Sequence, residues 1–261
     1  MGQRNSTTKT KRSIVVPTKR LRIAGILVTV SEPEHPKGVT FLLPGAMLSE
    51  ASYMSTRKIL HHQNQIVISF YINIFTKGHD EYANDVTRIH EAFCREYSQQ
   101  QQQQQRQSPF QSQHFNIVGH SVGGKIALLC ATNPLTTKQS QIETILALDP
   151  VDTHPPQFTN EKADASNRLL SKHHARELIL TFAASTPKWA IPTAHNAEAI
   201  VAWSHQKEHK VLPLKVHKDA DHMAYTDNGG GIMGWMMKGG TKEGNQAARE
   251  DVHDMIRKHI R

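Results

Sequence analysis

Cysteine is nearly absent: the 261 residues contain two, Cys94 and Cys130. Two cysteines in helix-like contexts suit buried free thiols and exclude a disulfide framework, so no oxidising compartment is implied. Long apolar runs are missing as well. Nothing approaches the roughly 18 residues of a membrane span. The start also lacks the apolar stretch of about 7–15 residues that a secretory signal needs. Acidic residues are absent from residues 1–22, which carry seven basic ones. The remaining chain holds 24 basic and 23 acidic residues, so the formal charge of +8 belongs to the tail. Nucleic-acid recognition wants a basic face on the folded body, and no nucleic-acid partner is expected. Residues 1–20 read instead as a basic, disordered segment suited to peripheral contact with an anionic membrane. The opening Met1-Gly2-Gln3-Arg4-Asn5-Ser6 fits the N-myristoylation pattern at Gly2. An acid-free start rich in Ser, Thr, Lys and Arg equally suits a transit peptide, which leaves cytoplasm or plastid as the expected compartment.

What is present after residue 20 alternates. Leu21–Val30 and Val39–Leu43 flank Ser31–Gly38, a turn rich in proline and charge, and this predicts a β-hairpin. Ile66–Phe70 is a third β-branched run. Tyr82, Val86, Ile89, Phe93 and Tyr97 recur at helical spacing after Gly78. The unbroken Gln99–Gln105 begins a Gln-rich insertion at about 98–113, read as disordered or as a frayed helix extension. Phe115–Val118, Thr144–Leu148, Leu178–Ala183 and Leu212–His217 read as further strands. Val122–Ala131 reads as a helix, and so does a closing segment from about Asn245 to Ile260. Strands alternating with helices predict one α/β domain over 21–261, with a mostly parallel central sheet and helices on both faces.

The motif with chemistry is Phe115–Leu129, FNIVGHSVGGKIALL. Gly119-His120-Ser121-Val122-Gly123 spells the nucleophile elbow G-x-S-x-G. The overlapping Gly119 to Lys125 also spells most of a phosphate-binding loop. That loop needs a hydroxyl after its lysine for Mg²⁺, and Ile126 cannot supply one. The elbow lacks nothing: a strand leads in, glycines flank the turn, and a helix leaves it. Ser121 is therefore the candidate nucleophile, and the N–H of Val122 one candidate oxyanion donor. A triad on this fold runs Ser, acid, His. Asp149 ends the strand Thr144–Leu148, with Asp152 as the alternative. His222 follows the last strand, with His217 as the alternative. The early loop Phe41–Met47, FLLPGAM, should bring the second oxyanion donor, Ala46 with Met47 next, and Met47 is also placed against the substrate. Neither the His61-His62 and His173-His174 pairs nor His90-Glu91 has metal-ligand spacing, so no metal or other cofactor is expected.

In this order GHSVGGK, LALDPVD, TPKW and DHMAYTD resemble chlorophyllases, α/β-hydrolase-superfamily serine esterases, over about residues 20–240. The resemblance implies a triad of Ser121, Asp149 and His222, with Met223 and Asp227 also matching and Met223 beside the substrate. It implies hydrolysis of the phytyl ester of chlorophyll, an apolar substrate, to chlorophyllide and phytol. The alternative is a carboxylesterase or lipase acting on another apolar acyl ester. Three positions depart from the family pattern. Val122 stands where arginine is usual, Pro44-Gly45 where His-Gly is usual, and Asp221 where glycine is frequent. All three are expected near the substrate. The glycine- and methionine-rich Gly229–Met237 reads either as core packing or as a mobile flap whose Trp235 and Met236 cover the substrate's apolar chain.

Overall fold

The structure is a computed structural model and describes residues 16–103, 114–133, 141–151, 175–186, 214–229 and 237–261. The basic tail up to residue 15, most of the Gln-rich insertion, Asp152, His173-His174, Trp189, Trp235 and Met236 lie outside them.

Eight strands form one sheet in the order β1-β2-β4-β3-β5-β6-β7-β8. They are β1 (Lys19–Ile23), β2 (Ile26–Ser31), β3 (Gly38–Leu43), β4 (Gln65–Ser69), β5 (His114–His120), β6 (Gln141–Leu148), β7 (Ala175–Ala183) and β8 (Lys215–His217). Among the described residues the helices are α1 (Met54–His62), α2 (His79–Gln103), α3 (Val122–Thr132) and α4 (Lys242–His259), with short 3₁₀ turns at Glu50–Tyr53 and His222–Tyr225. β2 runs antiparallel to β1 and β4, and every pairing from β4 to β8 is parallel.

The hairpin expected between β2 and β3 does not form. β4 lies between them, antiparallel to β2 and parallel to β3. The true hairpin is inside Leu21–Val30, where Ala24 and Gly25 turn at φ 50° and 81° and Ile23 faces Ile26. Two successive residues at positive φ match the strand twist of a two-residue hairpin. The Pro- and charge-rich stretch before β3 is a connection that passes over β4.

Alternation sorts the strands onto two cores. Phe41, Leu43, Ile117, Ile145 and Ala147 face α2 and α3. Leu42, Val118, Leu146 and Leu148 face α1 and α4. The predicted α2 stripe, Tyr82, Val86, Ile89, Phe93 and Tyr97, is buried throughout. Each such side chain contributes about 1.5–3 kcal/mol by leaving water. Gln99–Gln103 continues α2, as a helix extension would. On α4 the buried positions are Ala248, Val252 and Ile256, one turn apart along a single face. α3 is buried from Gly123 to Ala131, Lys125 included, and packs against β5, β6 and α2, which suits a helix with no solvent face.

Candidate active site

β5 delivers the chain to Ser121, which turns at φ 57° and ψ −123°, and α3 begins at the next residue. A non-glycine residue held in that region marks stored strain. The neighbours explain how the strain persists. A Cβ on Gly119 would lie 2.3 Å from the Gly123 carbonyl oxygen, and one on Gly123 would lie 2.3 Å from the Leu43 oxygen. Only glycine lets the two arms of the turn and the end of β3 approach this closely. The Ser121 N–H donates to Leu148 O at 3.0 Å, and Ser121 O accepts from Val151 N–H at 3.2 Å. The elbow is thereby tied to the turn that follows β6. Ser121 keeps 9% of its surface. Lys125, the lysine of the competing phosphate-loop pattern, is fully buried in α3 and cannot meet a nucleotide.

That next turn begins with Asp149, also left-handed at φ 43° and fully buried. Its N–H donates to Thr181 O at 3.1 Å, and its Oδ1 accepts from Ala183 N–H at 3.4 Å. Its Oδ2 meets His222 Nδ1 at 2.7 Å. A carboxylate only accepts, so Nδ1 carries the proton and Nε2 is left with the lone pair in neutral His222. Both partners are buried, which leaves neither charge an alternative partner in water.

Three residues around His222 hold its segment in place. Asp221 accepts from Met223 N–H at 3.0 Å and, through Oδ2, from Asn245 Nδ2 at 3.1 Å. Asn245 Oδ1 in turn accepts from Asp221 N–H at 2.9 Å, so the segment is clamped to the first turn of α4. Asp221 therefore faces α4 rather than a substrate, which accounts for a carboxylate where a glycine was expected. On the other side Asp227 Oδ2 accepts from Ser55 N–H at 2.8 Å, capping the first turn of α1. His217, the alternative histidine, bonds Asp251 Oδ2 and Tyr225 Oη, both at 3.0 Å, and takes no part at Asp149.

The loop after β3 presses against the elbow: a Cβ on Gly45 would lie 3.3 Å from Ser121 Cβ. Met47 N–H donates to Ile72 O at 2.9 Å, so that donor is committed, and Met47 is 52% exposed. Leu48 N–H donates to the Gly45 carbonyl at 3.1 Å. In a trans peptide the N–H lies opposite the carbonyl, so the Ala46 N–H is turned away from that bond and makes none of its own among the described residues. Val122 N–H, at the first position of α3, is likewise outside the helix's own bonding.

Two buried side chains lie under the site without having been singled out in the sequence. Gly45 N–H donates to Tyr53 Oη at 2.9 Å, and Tyr53 Oη meets His120 Nδ1 at 2.7 Å. His120 Nε2 contacts the His222 carbonyl at 2.8 Å. Burial, then the nearby His222, pushes the His120 pKa well below the usual histidine value, against the opposing pull of the carbonyl bond. Burial raises that of Tyr53. Met223 is buried and lines, with Asn245, Arg249 and His253, a cavity of about 800 Å³ outside the His222 segment. Ser121, Asp149 and His222 do not line that cavity. Among the described residues no group of acidic, histidine or cysteine side chains is arranged to hold a metal ion.

Residues 45–224 match the family described as PGAP1-like alpha/beta domain. No curated protein matches the sequence. Solved structures are similar in fold at low identity. A soluble variant of monoglyceride lipase from Saccharomyces cerevisiae shares 13% identity with a TM-score of 0.59, covering 95% of this chain and 96% of its own. Alpha/beta hydrolase domain-containing protein 10 from mouse shares 11%, with a TM-score of 0.56 and coverage of 93% and 99%. An esterase/lipase from an uncultured bacterium shares 13%, with a TM-score of 0.52 and coverage of 93% and 84%. With the strand order above, these likenesses give the architecture its name, the α/β-hydrolase fold.

Proposed function

The chain belongs to the PGAP1-like alpha/beta domain family, and on that premise we propose that it is a serine carboxylic ester hydrolase. One observation carries the reading: the 2.7 Å contact of His222 Nδ1 with buried Asp149 Oδ2, in the turn after β6 that is tied to the elbow of Ser121. Ser121 Oγ attacks the ester carbonyl carbon while His222 Nε2 takes the hydroxyl proton. Asp149 fixes the imidazole tautomer and stabilises the imidazolium. The N–H groups of Ala46 and Val122 receive the oxyanion; such a donor is typically worth ~10²–10³ in rate. The tetrahedral intermediate collapses, and the departing alcohol takes its proton from His222. A water activated by His222 then attacks the acyl-enzyme, releasing the acid and restoring Ser121. The cycle uses no metal or organic cofactor.

Within this class the phytyl ester of chlorophyll is the substrate we propose, supported by the order of GHSVGGK, LALDPVD and DHMAYTD in the chain. Met47, Trp235 and Met236 would then meet its apolar tail, and the basic N-terminus would touch the membrane that holds it. A second reading, another apolar acyl ester, is favoured by Val122 and Pro44-Gly45. These stand beside Ser121 where the chlorophyllase pattern has Arg and His-Gly. Hydrolysis of chlorophyll a, pheophytin a and p-nitrophenyl esters by one preparation separates the two. Turnover of chlorophyll a is expected; p-nitrophenyl turnover without it selects the second reading, and inertness to all with no fluorophosphonate labelling removes both.

A further inference from the structure

We propose that Tyr53 and His120 are positioning residues that set the oxyanion loop and the His222 base together, through one continuous hydrogen-bond chain. The proposal rests on the ester-hydrolase reading.

The chain has a single direction. The His222 carbonyl can only accept, so His120 Nε2 bears the hydrogen at that 2.8 Å contact. A neutral imidazole then offers Nδ1 as an acceptor, and Tyr53 Oη–H donates to it at 2.7 Å. With its hydrogen used, Tyr53 Oη accepts from Gly45 N–H at 2.9 Å. All these side chains are buried, so water cannot substitute at any link. The suppressed ionisation of both His120 and Tyr53 keeps the neutral forms that this direction requires.

Both ends of the chain terminate at working groups. Gly45 precedes Ala46, whose N–H is the proposed donor to the oxyanion. Three bonds hold that loop: to Tyr53 at Gly45 N–H, to Leu48 at Gly45 O, and to Ile72 at Met47 N–H. The Tyr53 bond is the one made by a side chain. At the other end the His222 backbone is fixed directly by His120, whose ring lies 4.6 Å from the His222 ring. Protonated His120 would repel the imidazolium formed during catalysis; the neutral ring does not. Tyr53 and His120 touch no reacting atom, so they act through the geometry of Ala46 and His222.

The test compares Tyr53→Phe, His120→Leu and His120→Gln with wild type, each checked for folding by thermal melt. Wild type must first label at Ser121 with a fluorophosphonate and hydrolyse p-nitrophenyl butyrate. Failure there overturns the ester-hydrolase reading itself. Given an active wild type, Tyr53→Phe and His120→Leu should lower kcat roughly 10- to 100-fold with KM nearly unchanged. His120→Gln places an amide donor where Nε2 lies and should recover most of the loss. The low-field proton NMR signal of His222 Nδ1–H should shift or broaden in His120→Leu and return in His120→Gln, a readout independent of substrate. Unchanged kcat in Tyr53→Phe, a loss confined to KM, or equal impairment of the Gln and Leu variants would overturn the positioning role. Tyr53→Phe removes a single oxygen and carries the test alone if His120→Leu does not fold.

Discussion

The turn from Gly119 to Gly123 and the loop from Pro44 to Met47 meet at Ser121, and they keep their shapes by different means. The turn is held by exclusion. Its backbone runs so close to itself and to β3 that a single methyl at either glycine would overlap a carbonyl oxygen at 2.3 Å. The loop is held by attraction, through the bonds of Gly45 N–H to Tyr53 and Met47 N–H to Ile72 and an internal bond from Leu48 N–H to the Gly45 carbonyl. The glycines that exclusion demands stand together in a short motif, whereas the Tyr53 hydroxyl and Ile72 carbonyl that hold the loop carry no mark in the sequence.

The largest effect expected at the turn comes from the proposed nucleophile. Ser121→Ala should lower kcat by on the order of 10⁶, leaving residual turnover from binding and the oxyanion donors. A purified, folded variant with wild-type turnover of p-nitrophenyl esters would remove Ser121 from the mechanism. Next comes the acid that the turn is tied to: Asp149→Asn should cost ~10⁴ in kcat by stabilising the wrong imidazole tautomer. Asp152→Asn in parallel should cost far less, and the opposite ranking would transfer the acid role.

Gly123→Ala tests exclusion directly. The added Cβ would meet backbone at Leu43 and Pro44, so a stability loss of about 3 kcal/mol or more is expected in urea denaturation. Gly25→Ala is the control, at φ 81° with nothing within 4 Å, and should cost only about 1 kcal/mol of backbone strain. Equal losses at the two glycines would mean that crowding does not hold the turn. The smallest effect is expected in the loop. Met47 sits at φ 59°, so Met47→Gly should raise stability by less than about 1 kcal/mol, strain relief being partly offset by backbone entropy. A clear loss of stability would show that the exposed Met47 side chain packs against something.

The same contrast governs what the sequence reveals. Gly119, Ser121 and Gly123 are legible because they form a pattern five residues long, although Gly123 is pressed against Leu43 and Pro44 from a distant part of the chain. Asp149 is legible from its place at the end of an apolar strand, and His222 from following the last one. Tyr53 looks like any core aromatic, and His120 like the variable position of its motif. Their partnership spans 67 residues and appears only once β5 lies beside the loop after β3. Asp221 misled for a related reason: its partner Asn245 belongs to α4, and nothing local says which way the carboxylate turns. Between β2 and β3, proline and charge mark a break in a strand but not where the next strand pairs. The two-residue turn at Ala24-Gly25 was hidden inside continuous alternation.

The hydrogen bond from His120 to the His222 carbonyl joins residues 102 apart in the chain. At ribosomal rates of about 5–20 residues per second, that interval corresponds to roughly 5–20 s of synthesis. Through that interval the elbow, the loop after β3 and the strands that carry them have been made, but the base has not. Asn245, which clamps the His222 segment through Asp221, emerges later still. On the proposed triad, the nascent polypeptide therefore carries its serine without the means to activate it, and hydrolytic competence would arrive only when the segment from His222 to Asn245 docks.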